Sequence, residues 1–401
     1  MKVSALSARL LAIAVLAMGS VSSVISQTAN VPIMVNSNMD TADSDASDGY
    51  CGTRQVIPPP PVPGGQPVET PNTCTLRAAI AEANFRPGLD TITFDLAPTG
   101  QATAVTISLT SDLPAITSPL AIDATNGGQA TITVDGGGTS SVLQFTSAAG
   151  NSNITALTIT GGLNDTATGG GAIYFGPTAP SRLTLNQVVL DGNSAEPGTG
   201  LGAGNGGPGG AVSVSDGNAL VVNGGSTTGN SALQGGAVYI LSNLAGPVSV
   251  ADADLGNPSD DVLTLTGVTM TGNSASAGNG GAVLADLRNG GDIVVEGGIY
   301  GSGTAAATRN TATGDGGAFW INKAISSADV RLRNVTLTNN TAVNGGGVAV
   351  KLGSIQLVNT SFVGNGATGA GGGLYLDANV PSISGGSARI ENVTFSGNSV
   401  T

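Results

Sequence analysis

Apolar and polar residues alternate in short runs along most of this chain, and Asn and Gly residues separate the runs. In the segment 330–351, Val330 and Leu332 flank Arg331, and two further alternating runs follow. Alternation with a period of two is typical of a strand with one buried face. Three short strands per unit, repeated along the chain, predict the coils of an all-β solenoid, a parallel β-helix.

Two corner motifs mark each repeat. An Asn closes the second strand, and a Gly-Gly pair opens the third strand a short and nearly constant step later. We expect Gly to supply positive φ values at the turns, and Asn to take the left-handed region and form a hydrogen-bonded ladder between coils. Segments 251–262 and 297–308 are predicted insertions at other corners. The corner residues are Asn193, Asn230, Asn273, Asn310, Asn340, Asn365 and Asn398, and the pairs 170–171, 209–210, 235–236, 280–281, 316–317, 345–346 and 371–372.

Inward strand positions are predicted to stack like on like and to form the core. Burying one large apolar side chain stabilises the fold by about 1.5–3 kcal/mol, so such columns would carry most of the stability. One predicted column consists of Leu183, Leu220, Leu263, Ile293, Val330 and Ile355.

Residues 1–26 have the features of a secretory signal peptide. Lys2 and Arg9 precede an apolar run at 10–18, and small residues follow. The apolar run is too short to span a bilayer, and no second candidate follows. We therefore expect an exported protein, extracellular or at the cell surface, with no transmembrane segment after the signal is removed.

Residues 27–96 are predicted to be an N-terminal capping region. Cys51 and Cys74 would lie in an oxidising compartment, which favours one disulfide over two free thiols. An amphipathic helix is predicted next, with Thr73 or Thr75 as N-cap and a stop at 87–88. We expect this helix to cover the open end of the first coil. Its apolar face would hold Leu76, Ala79, Ile80 and Ala83.

The stretch CTLRAAIAEAN, followed by PGLDTITFDL, resembles the bacterial domain named for its Cys-Ser-Leu-Arg-Glu-Ala signature. Cys74, Leu76, Arg77 and Ala79 match the signature, whereas Thr75 and Ala78 replace Ser and Glu. The resemblance covers about residues 31–96, and a proline-rich insert at 58–61 departs from it. No characterised chemistry belongs to that domain, so the resemblance implies export and fold only.

Residues 97–401 contain GGA(I/V) and Phe/Leu-x-x-Asn units. These units resemble the right-handed parallel β-helix repeats of polymorphic outer membrane proteins and pectate-lyase-like proteins. A right-handed coil also follows the general preference of parallel crossovers. The last Asn corner is not followed by Gly-Gly and a strand, so either the sequence is part of a longer protein or the last coil is frayed, and we expect the former.

Composition removes several classes of function. The 401 residues include 63 Gly, carry a net charge of −13 and contain no His. Binding of nucleic acid through a basic patch is therefore disfavoured. A histidine base or a histidine metal ligand is excluded outright.

One acidic loop is a candidate for Ca²⁺, the one cofactor that the sequence suggests. Carboxylate oxygens suit Ca²⁺, but this loop lacks the ordered ligand spacing and the closing Glu of an EF-hand, so a solvated loop is the competing interpretation. This first acidic loop holds Asp252, Asp254, Asp260 and Asp261. The second acidic loop holds Asp40, Asp43, Asp45 and Asp48, and it is expected to be either ordered, as the family resemblance implies, or solvated.

Outward polar residues on successive coils raise the question of catalysis. The resemblance to pectate-lyase-like proteins implies acids that hold Ca²⁺ and an Arg or Lys base. Asp286, Asn322, Lys351 and Asp377 fall one per coil, and Arg331, Arg333 and Arg389 project from another strand. No three acids converge in the sequence pattern, so we favour a charged rim over an active site.

The aromatic residues fall in one column. Three positions after the second Gly of each pair stand Tyr174, Ser213, Tyr239, Leu284, Trp320, Ala349 and Tyr375. Only 3% of the chain is aromatic, and this column contains its single Trp. We expect a stripe of exposed rings that binds a polysaccharide or a cell-surface glycan. The competing interpretation is that aromatic residues simply favour exposed strand positions.

The sequence thus predicts an exported β-helix protein that acts as an adhesin-like binding or structural module. The alternative is a Ca²⁺-dependent polysaccharide lyase of the pectate type.

Overall fold

A computed structural model describes twelve segments of the chain, and the predicted signal peptide lies outside them. The described residues are 31–52, 56–57, 68–69, 73–96, 104–147, 149–196, 207–215, 217–242, 261–287, 291–323, 330–377 and 387–401.

Strands dominate the described residues. The first eighteen strands are β1 Ile33–Val35, β2 Val56–Ile57, β3 Val68–Glu69, β4 Asp90–Phe94, β5 Ala104–Ser108, β6 Leu120–Asp123, β7 Thr131–Ser140, β8 Leu143–Ser147, β9 Ser152–Thr155, β10 Leu157–Gly162, β11 Ile173–Pro177, β12 Arg182–Asn186, β13 Val189–Asp191, β14 Val212–Val214, β15 Ala219–Asn223, β16 Ser226–Thr228, β17 Ser231–Ala232 and β18 Val238–Ser242.

The remaining strands are β19 Asp261–Thr266, β20 Thr269–Thr271, β21 Ser274–Ala275, β22 Val283–Leu287, β23 Asp292–Glu296, β24 Ile299–Tyr300, β25 Thr311–Ala312, β26 Phe319–Lys323, β27 Val330–Arg333, β28 Thr336–Thr338, β29 Thr341–Asn344, β30 Val348–Lys351, β31 Ile355–Val358, β32 Ser361–Val363, β33 Gly366–Ala370, β34 Leu374–Asp377, β35 Ala388–Glu391, β36 Thr394–Ser396 and β37 Ser399–Val400. The described helices are α1 Leu76–Phe85 and two short 3₁₀ turns, Asn126–Gly128 and Ala306–Thr308.

Four long parallel sheets confirm the predicted β-helix. Sheet I has the order β1-β4-β6-β9-β12-β15-β19-β23-β27-β31-β35, and sheet II runs β5-β7-β10-β13-β16-β20-β24-β28-β32-β36. Sheet III runs β8-β11-β14-β18-β22-β26-β30-β34, and sheet IV runs β17-β21-β25-β29-β33-β37. Strands β2 and β3 form a separate antiparallel pair. Each strand of the four sheets therefore pairs with its equivalents in the preceding and following coils.

The core is built from the predicted inward columns. Leu183 pairs with Leu220, Leu220 with Leu263, and the same register continues through Ile293, Val330 and Ile355. All six side chains are at most 1% exposed. The assignment of inside and outside from the period-two pattern is confirmed for this column.

The corner Asn residues form the predicted ladder. Asn310 Nδ2 donates to Asn340 Oδ1 at 2.9 Å, and Asn340 Nδ2 donates to Asn365 Oδ1 at 2.9 Å. The expectation that these Asn residues are left-handed is wrong, because none of them has a positive φ. At six of the seven corners the positive φ lies on the residue before, for example Asn339 at 57° and Gly364 at 64°, and that residue makes the turn. Arg309, before Asn310, is the exception with a φ of −87°.

A second, exposed Asn column does take the left-handed conformation. Asn334, Asn359 and Asn392 have φ values of 56°, 50° and 51°. Asn359 Nδ2 donates to Asn334 Oδ1 at 3.1 Å, and Asn392 Nδ2 donates to Asn359 Oδ1 at 2.8 Å.

The two members of a Gly-Gly pair are required for different reasons. Gly316 has a φ of 73°, which disfavours any residue with a Cβ. Gly317 has no such φ, but a Cβ there would collide with the backbone oxygen of Gly346 in the next coil. The first Gly therefore makes the turn, and the second permits the coils to approach.

The predicted insertion at 297–308 is only partly an insertion. Ile299–Tyr300 is strand β24 of sheet II, and Tyr300 is 0% exposed with its ring 4.6 Å from that of Phe319. Burial raises the pKa of the Tyr300 hydroxyl well above its ordinary value. Of the other predicted insertion, only Asp261 and Val262 are described, and they begin strand β19.

The N-terminal end of the solenoid is closed by more than the helix. Thr75 is the N-cap of α1 and accepts a hydrogen bond from the Ala78 backbone at 3.1 Å. The four predicted apolar residues of α1 are at most 2% exposed. Strand β1 pairs with β4 and forms the sheet edge, so the first strand of sheet I precedes α1 in the chain. Cys51 and Cys74 are bridged, which confirms the predicted disulfide.

The described helices give no candidate for a membrane span, since none combines sufficient length with sufficient hydrophobicity. In the last coil, Ile390, Phe395 and Val400 are 52%, 47% and 54% exposed, and the Phe395 ring stacks on that of Phe362 at 4.7 Å.

Candidate functional site

The outer face of sheet III carries the aromatic column that the sequence predicts. Tyr174 pairs with Ser213, Ser213 with Tyr239, and the register continues through Leu284, Trp320, Ala349 and Tyr375 without a shift. We call these seven residues the ring column. The Gly-Gly pairs that open the strands fix this common register.

The four rings of the column alternate with non-aromatic residues. Ser213, Leu284 and Ala349 stand between the rings, so Tyr174, Tyr239, Trp320 and Tyr375 occur on every second coil. Because neighbouring strands lie about 4.8 Å apart, successive rings are roughly 9.6 Å apart along the solenoid. The rings therefore form a regular series rather than a continuous stack.

The rings are half-buried, which corrects the expectation of a fully exposed stripe. The Tyr174 ring lies over Gly176 of its own strand, where it occupies the space that a side chain at 176 would need. Ser213, Leu284 and Ala349 are only 2–3% exposed. The Tyr174 ring therefore covers part of its own strand, and each of the four rings keeps a part that is accessible.

The polar residues considered for catalysis form a second column on the same face. Asp286, Asn322, Lys351 and Asp377 pair in register, two residues beyond the ring column. Asp286 is 6% exposed, and its Oδ1 accepts a hydrogen bond of 2.7 Å from Asn322 Nδ2. Lys351 is exposed. In the part of the chain that the structure describes, no three acidic or other metal-binding side chains are placed to hold a metal.

The first acidic loop is only partly described. Asp252, Asp254 and Asp260 lie outside the described residues. Asp261 begins β19, and its Oδ2 accepts a hydrogen bond of 3.2 Å from Thr264 Oγ1.

The second acidic loop uses its carboxylates separately. Asp43 accepts from the Asp45 and Gly52 backbones at 3.1 and 3.0 Å, and Asp48 accepts from the Tyr50 backbone at 2.8 Å. Hydrogen bonds from the Ser47 hydroxyl and backbone lower the pKa of Asp45. These carboxylates close turns, and the structure does not bring them together as a Ca²⁺ site.

Asp40 has a different role, because it forms an ion pair with Arg77 of α1. Arg77 donates to both Asp40 oxygens at 2.9 and 2.8 Å, and the Thr110 backbone and hydroxyl each donate to Asp40 Oδ2 at 2.8 Å. Burial acts to raise the pKa of Asp40, but the hydrogen bonds from Arg77 and Thr110 outweigh it and lower the pKa. The Asp40–Arg77 pair therefore ties the acidic loop to α1 and to the early coils.

A buried acidic pair behind α1 escaped prediction. Asp90 and Glu82 are 0% and 1% exposed, and Arg86 Nε donates to Glu82 Oε1 at 3.0 Å. Neither oxygen of Asp90 accepts a hydrogen bond from a described residue. Burial raises the pKa of Asp90, the Arg86 charge opposes the rise, and the Glu82 charge adds to it.

A small cleft opens at the N-terminal end of the ring column. Gln144 on β8 pairs with Tyr174 on β11, so the Gln144 amide continues the column by one coil. The polar lining of this end cleft consists of Asp112, Thr139, Ser141, Gln144, Asn164, Asp165 and Thr166.

Gln144 could not be found by aligning Gly-Gly pairs, because Ser140 and Ser141 stand where the pair would be. The alternation of apolar and polar residues at 142–146 was the only sequence signal that could have placed Gln144 on the outer face of the strand.

The chain matches no family description, no curated protein and no solved structure. The resemblance to the signature domain and to the two β-helix families stays a prediction from the sequence.

Proposed function

We propose that this protein is an exported binding or structural module, adhesin-like in role, that holds a glycan along the ring column. The observation that carries the proposal is the alternation of rings and non-aromatic residues on one sheet face. Aromatic rings are rigid amphipathic surfaces on which the apolar faces of sugars stack. Rings on every second coil suit an extended chain in which alternate sugar units face the protein.

Export is part of the proposal. The signal-like pattern of residues 1–26 supports it, and so does the Cys51–Cys74 disulfide, since such bonds persist in oxidising compartments. We propose the cell surface or the extracellular space as the location.

The test is a titration of the protein with neutral and acidic polysaccharides, followed through the fluorescence of Trp320, the only Trp of the chain. Calorimetry supplies the readout for Trp320→Ala, which has no Trp to follow. Trp320→Ala and Tyr375→Ala should each weaken binding, by about tenfold for a loss of roughly 1.4 kcal/mol of stacking.

The matched control is Gln356→Ala, an outward residue on β31 of sheet I, away from the ring column. Its affinity should equal that of the parent. If a glycan binds the parent and both ring variants equally well, the column has no binding role and the proposal fails.

The lyase alternative is weaker for two reasons. Asp286 already accepts a hydrogen bond from Asn322, and no three acidic side chains among the described residues are placed to hold a metal ion together. A rise in ultraviolet absorbance from an unsaturated uronate product, with pectate and Ca²⁺, would favour the lyase over the binding module.

A further inference from the structure

The end cleft and the ring column form one continuous surface. The loop 164–169 borders the cleft, and Ser213 of the ring column donates to the Thr168 carbonyl at 2.7 Å. Gln144 lies both in the cleft and next to Tyr174. A chain lying along the rings would therefore reach the cleft at its N-terminal end.

The wall of the cleft is held in place by Asn164, which is 3% exposed. Its Nδ2 donates to the Gly169 carbonyl at 2.6 Å, and its Oδ1 accepts from the Thr166 backbone at 3.1 Å and from the Thr166 hydroxyl at 2.5 Å. The loop that carries Asp165 is thus braced from within and preformed.

Other groups in the cleft remain available to a ligand. The Gln144 amide and the Asp165 carboxylate make no side-chain hydrogen bond to any described residue. Asp112 uses Oδ1 to accept from the Ser141 backbone at 2.9 Å, which leaves Oδ2 as an acceptor. The cleft therefore offers two carboxylates and one amide to hydrogen-bond donors.

The charge of the cleft is negative. Asp112 and Asp165 line it, and no Lys or Arg is among its described lining residues. Arg77 reaches the Ser111 and Asp112 carbonyls, but its charge is matched by Asp40 in a two-point ion pair. A ligand with a carboxylate would meet repulsion here, whereas hydroxyl and ammonium groups would be bound.

The size of the cleft also restricts the ligand. Its volume of about 140 Å³ is well below the ~300–1,000 Å³ of a site that encloses a drug-sized molecule. The cleft can accept one sugar unit, and the rest of a chain must lie outside it.

From these observations we infer that the end cleft is a specificity subsite of the ring column. It binds one sugar unit that carries hydroxyl or protonated amino groups and no carboxylate. This inference rests on the proposed function and narrows it, because it selects neutral and amino-bearing glycans and rejects polyuronates.

The experiment measures, by calorimetry on the full chain, the affinity for three hexasaccharides: a β-1,4-linked glucose chain, a β-1,4-linked glucosamine chain and an α-1,4-linked galacturonate chain. The neutral or the amino chain should bind at least about tenfold more tightly than the galacturonate chain. Comparing the affinities for the glucose chain and the glucosamine chain shows whether the cleft recognises hydroxyl groups or ammonium groups.

Three cleft variants test the contributions of Gln144 and Asp165 to binding. Gln144→Ala and Asp165→Asn should each weaken binding of the preferred hexasaccharide roughly three- to tenfold. Asp165→Lys should reduce or reverse the discrimination against galacturonate. The control is Asp191→Asn, an exposed carboxylate on β13 of sheet II, which should bind as the parent does.

The outcomes separate this inference from the proposed function. If Trp320→Ala weakens binding while all cleft variants bind as the parent does, the glycan-binding role of the ring column is supported and the role of the end cleft as a subsite is refuted. A preference of the parent for galacturonate also overturns it. If no hexasaccharide binds the parent, the proposed function fails, and this inference fails with it.

Discussion

The N-terminal cap, residues 31–96, and the repeated coils that follow it are held together in different ways. In the coils, each contact recurs from one coil to the next. Asn310, for example, accepts from Asn273 at 3.0 Å and donates to Asn340 at 2.9 Å. In the cap, each contact occurs once: the disulfide, the Thr75 cap of α1 and the Asp40–Arg77 ion pair.

This difference teaches where each region is vulnerable. Stability in a solenoid is approximately a sum of coil terms and nearest-neighbour terms, so damage in one coil passes to its neighbours. In the cap, one substitution can remove a contact that has no equivalent elsewhere in the chain, so no neighbouring contact compensates for its loss. Hydrogen exchange can locate each effect, because it reports local opening residue by residue.

The largest effect should come from a charge in the core of the coils. Leu332 is 0% exposed and pairs with Val295 and Leu357 on the neighbouring coils. Leu332→Asp should lower the free energy of unfolding by at least about 4 kcal/mol, because apolar burial is lost and an unpaired carboxylate is buried. Thermal melting measures the loss, and hydrogen exchange should show faster exchange in the coils on both sides.

The control for this prediction is Arg331→Asp on the same strand, which points outward. Its melting temperature should stay close to that of the parent. Equal melting temperatures for the two variants would show that inside and outside are wrongly assigned.

The Asn ladder should give the next largest effect. Asn310 is 0% exposed, and Asn310→Ala removes the acceptor of the Asn273 backbone N–H and of one Asn273 side-chain N–H. It also removes one of the two donors to the Met270 carbonyl, which still accepts from the Gly301 backbone. Buried polar groups left unpaired cost about 1–3 kcal/mol each, so we expect a loss of roughly 3–4 kcal/mol in denaturant unfolding.

The exposed Asn column supplies the comparison. Asn359→Gly removes Asn–Asn hydrogen bonds at the surface, and Gly tolerates the φ of 50° at this position, so the change should cost less than about 1 kcal/mol. If both substitutions cost the same, burial of the ladder does not determine its contribution.

In the cap, Arg77→Met should destabilise the N-terminal end. The side chains of Arg77 and Asp40 are 12% and 3% exposed, and removing Arg77 leaves the buried Asp40 carboxylate without its ion-pair partner. We expect a loss of about 3 kcal/mol, at the low end for a broken buried pair because Thr110 still donates to Asp40. Hydrogen exchange should rise in α1 and β1 rather than in the later coils.

Arg333→Met tests the same change in an exposed pair. Arg333 Nε lies 3.9 Å from Glu296 Oε2, and the two side chains are 47% and 40% exposed. Surface pairs contribute about 0–1 kcal/mol, so this variant should melt nearly as the parent does. A larger loss for Arg333→Met than for Arg77→Met would contradict the assigned role of the cap pair.

The same difference explains how much the sequence could predict. Strand alternation and Gly-Gly pairs repeat, so they predicted the fold, the core column and the register of the ring column. The half-burial of Tyr174 was not predicted, because it depends on a ring that lies over Gly176. The pattern specifies which side a residue faces, but not how far a side chain leans over its neighbours.

The cap could be predicted only in outline. Helical spacing located α1, but strand β1 is three residues long and too short for its alternation to be recognised. Asp90 and Glu82 look like ordinary polar residues in the sequence, and only tertiary packing buries them. Tyr300 was missed similarly, because a two-residue strand within 297–308 has no detectable period.

The smallest predicted effect concerns pH and this buried acidic pair. The pKa of Asp90 is raised above its ordinary value of 3.8, so the folded state holds the proton more tightly than the unfolded state does. The stabilisation is present below pH 3.8 and is lost as the pH rises through the raised pKa. Asp40 behaves oppositely, because its lowered pKa makes its contribution disappear as the pH falls.

Asp90→Asn should therefore change the pH dependence of stability more than stability itself. The variant keeps the shape of the protonated side chain but has no charge to bury, so its stability relative to the parent should improve as the pH rises from 3.8 through the raised pKa of Asp90, and should be constant above it. Melting temperatures between pH 4 and pH 8 measure the trend. Asp95→Asn, an exposed change just beyond β4, should follow the parent at every pH. A constant difference between Asp90→Asn and the parent over this range would mean that the pKa of Asp90 is not raised in the folded protein, and it would contradict the prediction.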